Sequence, residues 1–211
     1  MYNYFTSEEF IEASTLLISL LSLALAIVIT VRYIKFRSKS LFFWSLGLWA
    51  FTASAFEEVI FALGLYSELL IDIYLFLVAM VVELLAMGSI NLIRSNRSIR
   101  LYYIYSIIAD MLLFYSLYIS KVGNIIENYI VYGSLPLSVV ITSSIITFPA
   151  AVIIAAIAAL SYKRDHNKKL LSIIAGVIVV SIAGTLYIAQ FPAFLYYAEF
   201  IGILLLWIGF I

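Results

Sequence analysis

The stretch Arg32–Lys39, which reads RYIKFRSK, is the first of three short basic clusters that decide the fold. The second is Arg94–Arg100, RSNRSIR, and the third is Lys163–Lys169, KRDHNKK. Together they hold all but one of the chain's 12 Lys and Arg residues, and long apolar stretches separate them. Basic residues concentrate in the cytoplasmic loops of membrane proteins, so the pattern predicts a membrane protein whose three basic loops share one side.

Three basic loops on one side require an odd number of membrane-spanning helices, with the amino terminus outside and the carboxyl terminus inside. A spanning helix needs about 20 mostly apolar residues. We therefore predict an all-α membrane protein, a multi-pass protein of the cell membrane with one domain over residues 1–211. Its seven-helix bundle has spans at about 10–32, 41–64, 69–93, 101–120, 137–161, 169–190 and 193–211.

The composition of the 211-residue chain agrees with a lipid environment, since 65% of the residues are hydrophobic and 11% are charged. A soluble domain is typically about 45–50% apolar and about 25% charged. The formal net charge is zero, which argues against a nucleic-acid partner, because phosphate binding needs a basic excess. There is no Cys, which excludes disulfides and thiolate chemistry.

The informative residues are acids that fall inside the predicted spans. Ionisable groups at membrane depth are costly and usually face the bundle interior or a water-filled cavity. No Lys, Arg or His falls in the middle of any span, so each acid is expected to be protonated, hydrated or balanced by a bound cation. We predict a proton or cation path through five of them: Glu57, Glu58, Glu83, Asp110 and Glu199. A sixth, Asp72, is expected at the outer mouth.

Helical spacing supports an inward face for these acids. Gly47, Ser54 and Glu58 share a narrow stripe on the second helix, and Ser106 and Asp110 share one on the fourth. The predicted result is a carboxylate-lined cavity that opens outward and closes near the fourth-helix acid. The structural alternative is that neutral carboxyl groups tie the helices together by hydrogen bonds, which are worth about 0.6 kcal/mol each.

Several enzyme and cofactor classes lack their residues. The only histidine, His166, falls in the third basic cluster, so neither a membrane haem nor a histidine zinc site is expected. The last helix contains no Lys for a retinal Schiff base, and no phosphate loop or nucleophile motif occurs. We expect no cofactor, no metal and no catalytic residue.

Pro149 falls in the middle of the predicted fifth helix. A proline inside a helix removes one backbone hydrogen bond, frees the carbonyl four residues earlier and kinks the helix. We predict a kink here, which shapes the bundle or helps to form a binding site.

An internal repeat is indicated by the spacing of small residues after the first and third basic clusters. Aligning Lys39 with Lys168 superimposes Gly47 on Gly176. This predicts a three-plus-one-plus-three plan, in which helices 1–3 are echoed by helices 5–7. Small residues at helix contacts would produce the same coincidence without a repeat.

The stretch Phe42–Ile93 resembles seven-helix integral membrane proteins of prokaryotes, particularly of archaea, that carry no assigned activity. The resemblance rests on an aromatic second helix that ends in Phe56-Glu57-Glu58 and on a third helix that ends in Gly88-Ser89. It implies the seven-helix fold and no particular reaction.

Three functions remain open from the sequence. The first is a proton- or cation-linked transporter or channel built around the acids. The second is a non-catalytic membrane subunit or sensor module, which would bind a partner membrane protein or a second copy of the chain through its small-residue stripes. The third is a lipid-modifying enzyme that uses carboxyl groups as acid and base. Beside lipid, we therefore expect either a membrane-protein partner or a homo-oligomer.

Overall fold

The computed structural model describes residues 8–93, 95–120, 122–123, 125–127, 130–131, 135–166, 169, 171–173, 175–176, 178–179 and 192–210. Seven helices can be recognised in this part of the chain. Their bounds are α1 Glu8–Phe36, α2 Lys39–Ala62, α3 Glu68–Ile90, α4 Asn96–Ser120, α5 Leu137–Asp165, α6 as the helical residues described within 169–179, and α7 Pro192–Phe210. An antiparallel hairpin of β1 Ile126–Glu127 and β2 Ile130–Val131 lies between α4 and α5.

Four of these helices are long and apolar enough to cross a membrane. These candidate spans cover Ile11–Phe36, Glu68–Ile90, Asn96–Ser120 and Leu137–Arg164, and Tyr196–Phe210 is a shorter apolar helix. The chain is therefore helical and suited to lipid contact, as its composition predicts. The helices extend further into the basic clusters than predicted: α1 continues to Phe36 and α4 begins at Asn96. The second half of the predicted sixth span, 180–190, lies outside the described residues.

The described helices pack in pairs, and α3 contacts three of the others. α1 packs against α2 and α7, and α2 packs against α3. α3 also contacts α5 and α4, and α4 contacts α5. One apolar core joins α1, α2, α3 and α7 through residues such as Leu25 and Leu48. A second apolar core, between α3, α4, α5 and the end of α2, contains Phe61, Ile71, Leu113 and Ile146.

α1 and α5 end in the same unusual way. Each is followed by a residue with left-handed backbone, Arg37 or His166, at a φ of 51°. The N–H of Arg37 donates to the carbonyl of Tyr33, and the N–H of His166 donates to the carbonyl of Tyr162, both at 2.7 Å. Arg37 and His166 are separated by the same number of residues as Lys39 and Lys168, the two residues that align the predicted repeat.

The contact between α2 and α3 recurs between α6 and α7. Gly47 of α2 faces Leu84 and Leu85 of α3, and a Cβ placed on this glycine would lie 3.2–3.3 Å from them. Gly176 of α6 faces two α7 leucines in the same way, at 3.1–3.2 Å. The predicted correspondence of Gly47 with Gly176 is therefore confirmed.

A second close contact in each helix pair, α2–α3 and α6–α7, uses a glycine of the later helix, α3 or α7. Gly88 of α3 lies against the indole of Trp44, and Gly209 of α7 lies against Ile173. Trp44 and Ile173 stand at the same spacing before Gly47 and Gly176, respectively. We name α1–α3 the first repeat and α5–α7 the second repeat, joined by α4. The contacts between the repeats are also reciprocal: the third helix of each repeat contacts the first helix of the other, as α3 contacts α5 and α7 contacts α1.

α5 runs through Pro149 as one helix, and the consequence of the proline is visible on α4. Pro149 cannot donate to the carbonyl of Ile145, four residues earlier. The hydroxyl of Tyr105 donates to this carbonyl at 2.5 Å. The proline therefore gives α4 a hydrogen-bonded attachment to the second repeat.

Candidate functional site

The structure groups the predicted acids in two pairs. Glu58 and Glu199, which we name the cross-repeat pair, join α2 of the first repeat to α7 of the second. Glu83 and Asp110, which we name the inner pair, join α3 to α4. The described residues thus bring the five acids to two places and not to one cavity.

The cross-repeat pair is held by a tyrosine. The hydroxyl of Tyr74 on α3 donates a hydrogen bond of 2.7 Å to Oε1 of Glu58. Glu58 and Glu199 are both buried, and their carboxyl groups lie side by side. The ring of Tyr74 also packs edge-on against Phe61. Sequence reasoning missed Tyr74, because nothing in the spacing of the chain's 16 tyrosines distinguishes it.

Glu57 lies beside the cross-repeat pair. It is buried, with an exposed fraction of 8%, and the charge of Glu58 acts on it. Successive residues of an α-helix point about 100° apart, so Glu57 and Glu58 leave α2 in different directions. Oε2 of Glu57 has no hydrogen-bond partner in the part of the chain that the structure describes. Glu57 is therefore a neighbour of the pair and not a third member of it.

The inner pair contains a completely buried carboxyl group, that of Glu83. Glu83 has an exposed fraction of 0%, and neither of its oxygens makes a hydrogen bond of normal geometry to a described residue. Asp110 and Ser106 of α4 lie close enough to interact with it. Ser106 is also fully buried, as the predicted stripe on the fourth helix requires. Buried polar groups normally have partners, so Glu83 calls for an explanation.

Polar side chains continue from the inner pair towards the start of α4. The hydroxyl of Tyr102 lies close to Ser106 and to Glu83 and has no described hydrogen-bond partner. At the next residue of α4, the hydroxyl of Tyr103 accepts a hydrogen bond of 2.6 Å from Nδ2 of Asn91. These groups line the region between the inner pair and the α3–α4 connection, where the second basic cluster lies.

The two pairs are well separated. Tyr74 and Glu83 are nine residues apart on α3, which corresponds to about 14 Å at a rise of 1.5 Å per residue. Apolar residues of α3 and α4, Ala79 and Ala109, pack in the core that also contains Tyr74. A hydrogen bond spans about 3 Å, so a proton needs intermediate groups to cover this length of α3. Any route between them needs a further hydrogen-bonding group or water.

Asp72 is not part of either pair. It lies in the first turns of α3, where its electrostatic neighbour is Glu68. This placement agrees with the predicted position at the mouth of the bundle. The same residue offers a control for substitutions of the deeper acids.

Asp110 has a second environment on the outer surface of α4. A groove of about 440 Å³ adjoins it, and the groove is lined by Phe76, Asp110, Met111, Phe114, Tyr115 and Tyr118. Oδ1 of Asp110 is buried and lacks a hydrogen-bond partner among the described residues. The inner pair therefore lies between the core of the bundle and an aromatic surface.

Within the described ranges, no group of three or more His, Cys, Asp and Glu residues is placed to hold a metal ion. Each pair supplies two carboxyl groups, with a tyrosine hydroxyl in one pair and a serine hydroxyl in the other. Such a group can hold a proton between two oxygens. It offers fewer ligands than the six to eight oxygens that Ca²⁺ takes.

Comparison with family models, with curated proteins and with solved structures finds no match for this chain. The class that the fold defines is a helical protein with four helices suited to crossing a membrane. Its function therefore has to be argued from the two carboxyl pairs and from the repeat.

Proposed function

We propose that the chain is a seven-span protein of the cell membrane, with its amino terminus outside, that conducts or transports protons. The topology is supported by the three basic clusters, which follow α1, α3 and α5 and would share the cytoplasmic side. The chemistry is supported by the inner pair and the cross-repeat pair.

The observation that carries the proposal is the complete burial of Glu83 beside a second acid, Asp110. Neither oxygen of Glu83 makes a hydrogen bond of normal geometry to a described residue. Burying it costs free energy, because a polar group leaves water without gaining an equivalent hydrogen bond in return. Ionisable residues at membrane depth mark proton relays and ion pathways in transport proteins. Glu83 is therefore proposed as the central proton carrier.

A proton suits these sites better than a metal cation does. Two carboxyl groups in contact hold one proton in a short shared hydrogen bond, because both cannot ionise side by side. Glu83 and Asp110 of the inner pair lie close enough to interact, and a small movement of either side chain would complete this arrangement. A cation would need further oxygen ligands at the same place. A sodium or potassium path is the second candidate for the same route.

The proposed route enters at Glu57, passes the cross-repeat pair, and leaves through the inner pair and Ser106. Tyr102 and Tyr103 extend the polar track towards the second basic cluster. Water or a motion of the helices would connect the two pairs, whose α3 residues Tyr74 and Glu83 are about 14 Å apart along the helix axis. The repeat is consistent with such a motion, because many transporters place their sites at the interface between two structural repeats. Glu58 and Glu199 lie on opposite repeats.

Proton flux into liposomes tests the proposal. The purified chain is reconstituted with a pH-sensitive dye in the lumen, and an acid pulse is applied outside, with potassium and valinomycin to balance the charge. We expect acidification of the lumen at a rate above that of protein-free liposomes. Sodium or potassium gradients without a pH gradient identify a cation path. Rates equal to those of empty liposomes under every gradient would contradict the proposal.

A further inference from the structure

The groove on the outer face of α4 contains one acidic residue, Asp110. Asp110 lies at one end of it, partly exposed, at a helix position that falls inside a candidate span. Ionisable side chains in membrane spans almost always face the bundle interior or water. The neighbour of Asp110 in the inner pair, Glu83, is a second acid and brings no positive charge. A partner that brings a positive charge would therefore be stabilised beside Asp110.

Four of the five other residues that line the groove are aromatic, and the fifth is Met111. Phe114 and Tyr118 follow Asp110 at spacings of four and eight residues, so the three side chains lie on one face of α4. Tyr115 and Met111 form the neighbouring row, and Phe76 contributes from α3. Aromatic faces attract cations, most strongly where water is excluded. A carboxyl group at one end of an aromatic groove matches a cation that carries an apolar body.

A second copy of this chain does not supply the missing charge. Every Lys and Arg falls in 32–39, 94–100 or 163–169, or at Lys121, and all of these positions lie at or beyond the helix ends. Asp110 is 15th among the 25 residues of α4, far from both ends. Phospholipid amines face the same difficulty, because head groups stay at the membrane surface. The occupant has to carry its charge into the apolar region.

We propose that this groove binds a lipophilic organic cation, with the charge at Asp110 and the apolar body along Phe114 and Tyr118. The inference rests on the proposed function for one point, the exchange of a proton at the inner pair. A cation bound at Asp110 would compete with that proton, which would make the groove a substrate or inhibitor site of a proton-linked transporter.

Binding of radiolabelled tetraphenylphosphonium tests the proposal. Equilibrium dialysis is carried out on the full chain in a non-ionic detergent, so the result does not depend on proton flux. We expect saturable binding that is about tenfold or more weaker in Asp110→Asn, because one member of a charge pair is lost. Phe114→Ala should weaken binding by several-fold through loss of the aromatic face.

Two further variants keep the result interpretable. Asp110→Glu retains the charge and should retain most of the binding, which excludes misfolding as the cause of a loss. Asp72→Asn removes a carboxyl group outside the groove and should bind like the wild type. Equal binding by the wild type and Asp110→Asn, or no saturable binding at all, would overturn the inference and leave an ordinary lipid-covered surface. Binding without proton flux would contradict the proposed function alone.

Discussion

The two repeats share a scaffold but differ in their acids. Both use one glycine to bring the second helix of the repeat onto the third, and a second glycine near the end of that contact. Both end their first helix on a left-handed residue. Of the five predicted path acids, however, the first repeat carries Glu57, Glu58 and Glu83, whereas the second carries only Glu199.

This difference separates what the fold needs from what the function needs. Features present in both repeats are explained by packing, since close helix contacts in membranes depend on small residues. Glu83 corresponds to Leu204 when Gly88 is aligned with Gly209, and Leu204 is 38% exposed on the outer surface of α7. The buried acid of the first repeat is therefore not required by the scaffold.

The largest expected effect concerns the acid that only the first repeat contains. Glu83→Gln keeps the size and polarity of the side chain but cannot carry a proton. We expect proton flux to fall by about 100-fold, at the lower end of what a positioned proton-transfer group contributes. The matched control is Asp72→Asn on the same helix, which should keep flux within about twofold of the wild type. A flux loss in the control but not in Glu83→Gln would reverse the assignment.

The shared glycines should behave alike in the two repeats. A Cβ at Gly88 would overlap the Trp44 indole and lie 2.9 Å from the carbonyl of Ser40, and one at Gly209 would lie 3.0 Å from the backbone nitrogen of Ile173. We expect Gly88→Ala and Gly209→Ala each to lower the free energy of unfolding by about 1–3 kcal/mol, as overpacking usually does.

Unfolding in mixed micelles with increasing denaturing detergent measures this effect. Gly123→Ala is the control, because a Cβ at Gly123 has no described atom within 4 Å, and its stability should not change. Destabilisation by only one of the two buried substitutions would break the structural equivalence of the repeats.

The cross-repeat pair should contribute a smaller amount. Tyr74→Phe removes the hydroxyl that donates to Glu58 and leaves the ring contact with Phe61 intact. We expect a loss of about 0.6–1.7 kcal/mol in the free energy of unfolding, the range of hydrogen bonds between membrane helices. Tyr118→Phe is the control, since this ring is 79% exposed. Equal stabilities of all three proteins would show that the hydroxyl of Tyr74 is not needed to hold the pair.

The smallest effect is expected where α1 and α5 end. Arg37 and His166 both adopt positive φ, which glycine tolerates without the steric cost that other residues meet. We expect Arg37→Gly and His166→Gly to raise stability by a few tenths of a kcal/mol each, up to about 1 kcal/mol. Thermal unfolding in detergent compares them with Ser38→Gly, whose φ of −79° gives no such gain. Opposite signs for the two substitutions would contradict the match between the helix ends.

Much of the fold is readable from the sequence because apolar length and charge placement act locally. The starts of α2, α3 and α5 lie within two residues of the predicted spans. The basic clusters at the ends of α1 and α4 were predicted as loops, but the helical hydrogen bonds continue through Lys35 and Arg97. Long basic side chains extend to the membrane surface from within a helix, so the helix does not have to stop at them.

The candidate site is only partly readable, because its pairs depend on contacts between distant helices. Periodicity placed Ser106 and Asp110 on one face, and the structure puts both beside Glu83. No local pattern separates the cross-repeat pair from the inner pair, since that separation depends on how α7 packs against α1. The attachment of Tyr105 to the carbonyl freed by Pro149 depends in the same way on the packing of α4 against α5.

Infrared spectroscopy of the reconstituted protein tests the central claim most directly, because it detects whether Glu83 holds an exchangeable proton. Difference spectra are recorded in lipid as the pH is changed, for the wild type and for Glu83→Gln. The account predicts a protonated-carboxyl C=O band in the wild type that changes with pH, shifts in deuterium oxide and is missing from Glu83→Gln. Superimposable difference spectra for the two proteins over the whole pH range would contradict the account.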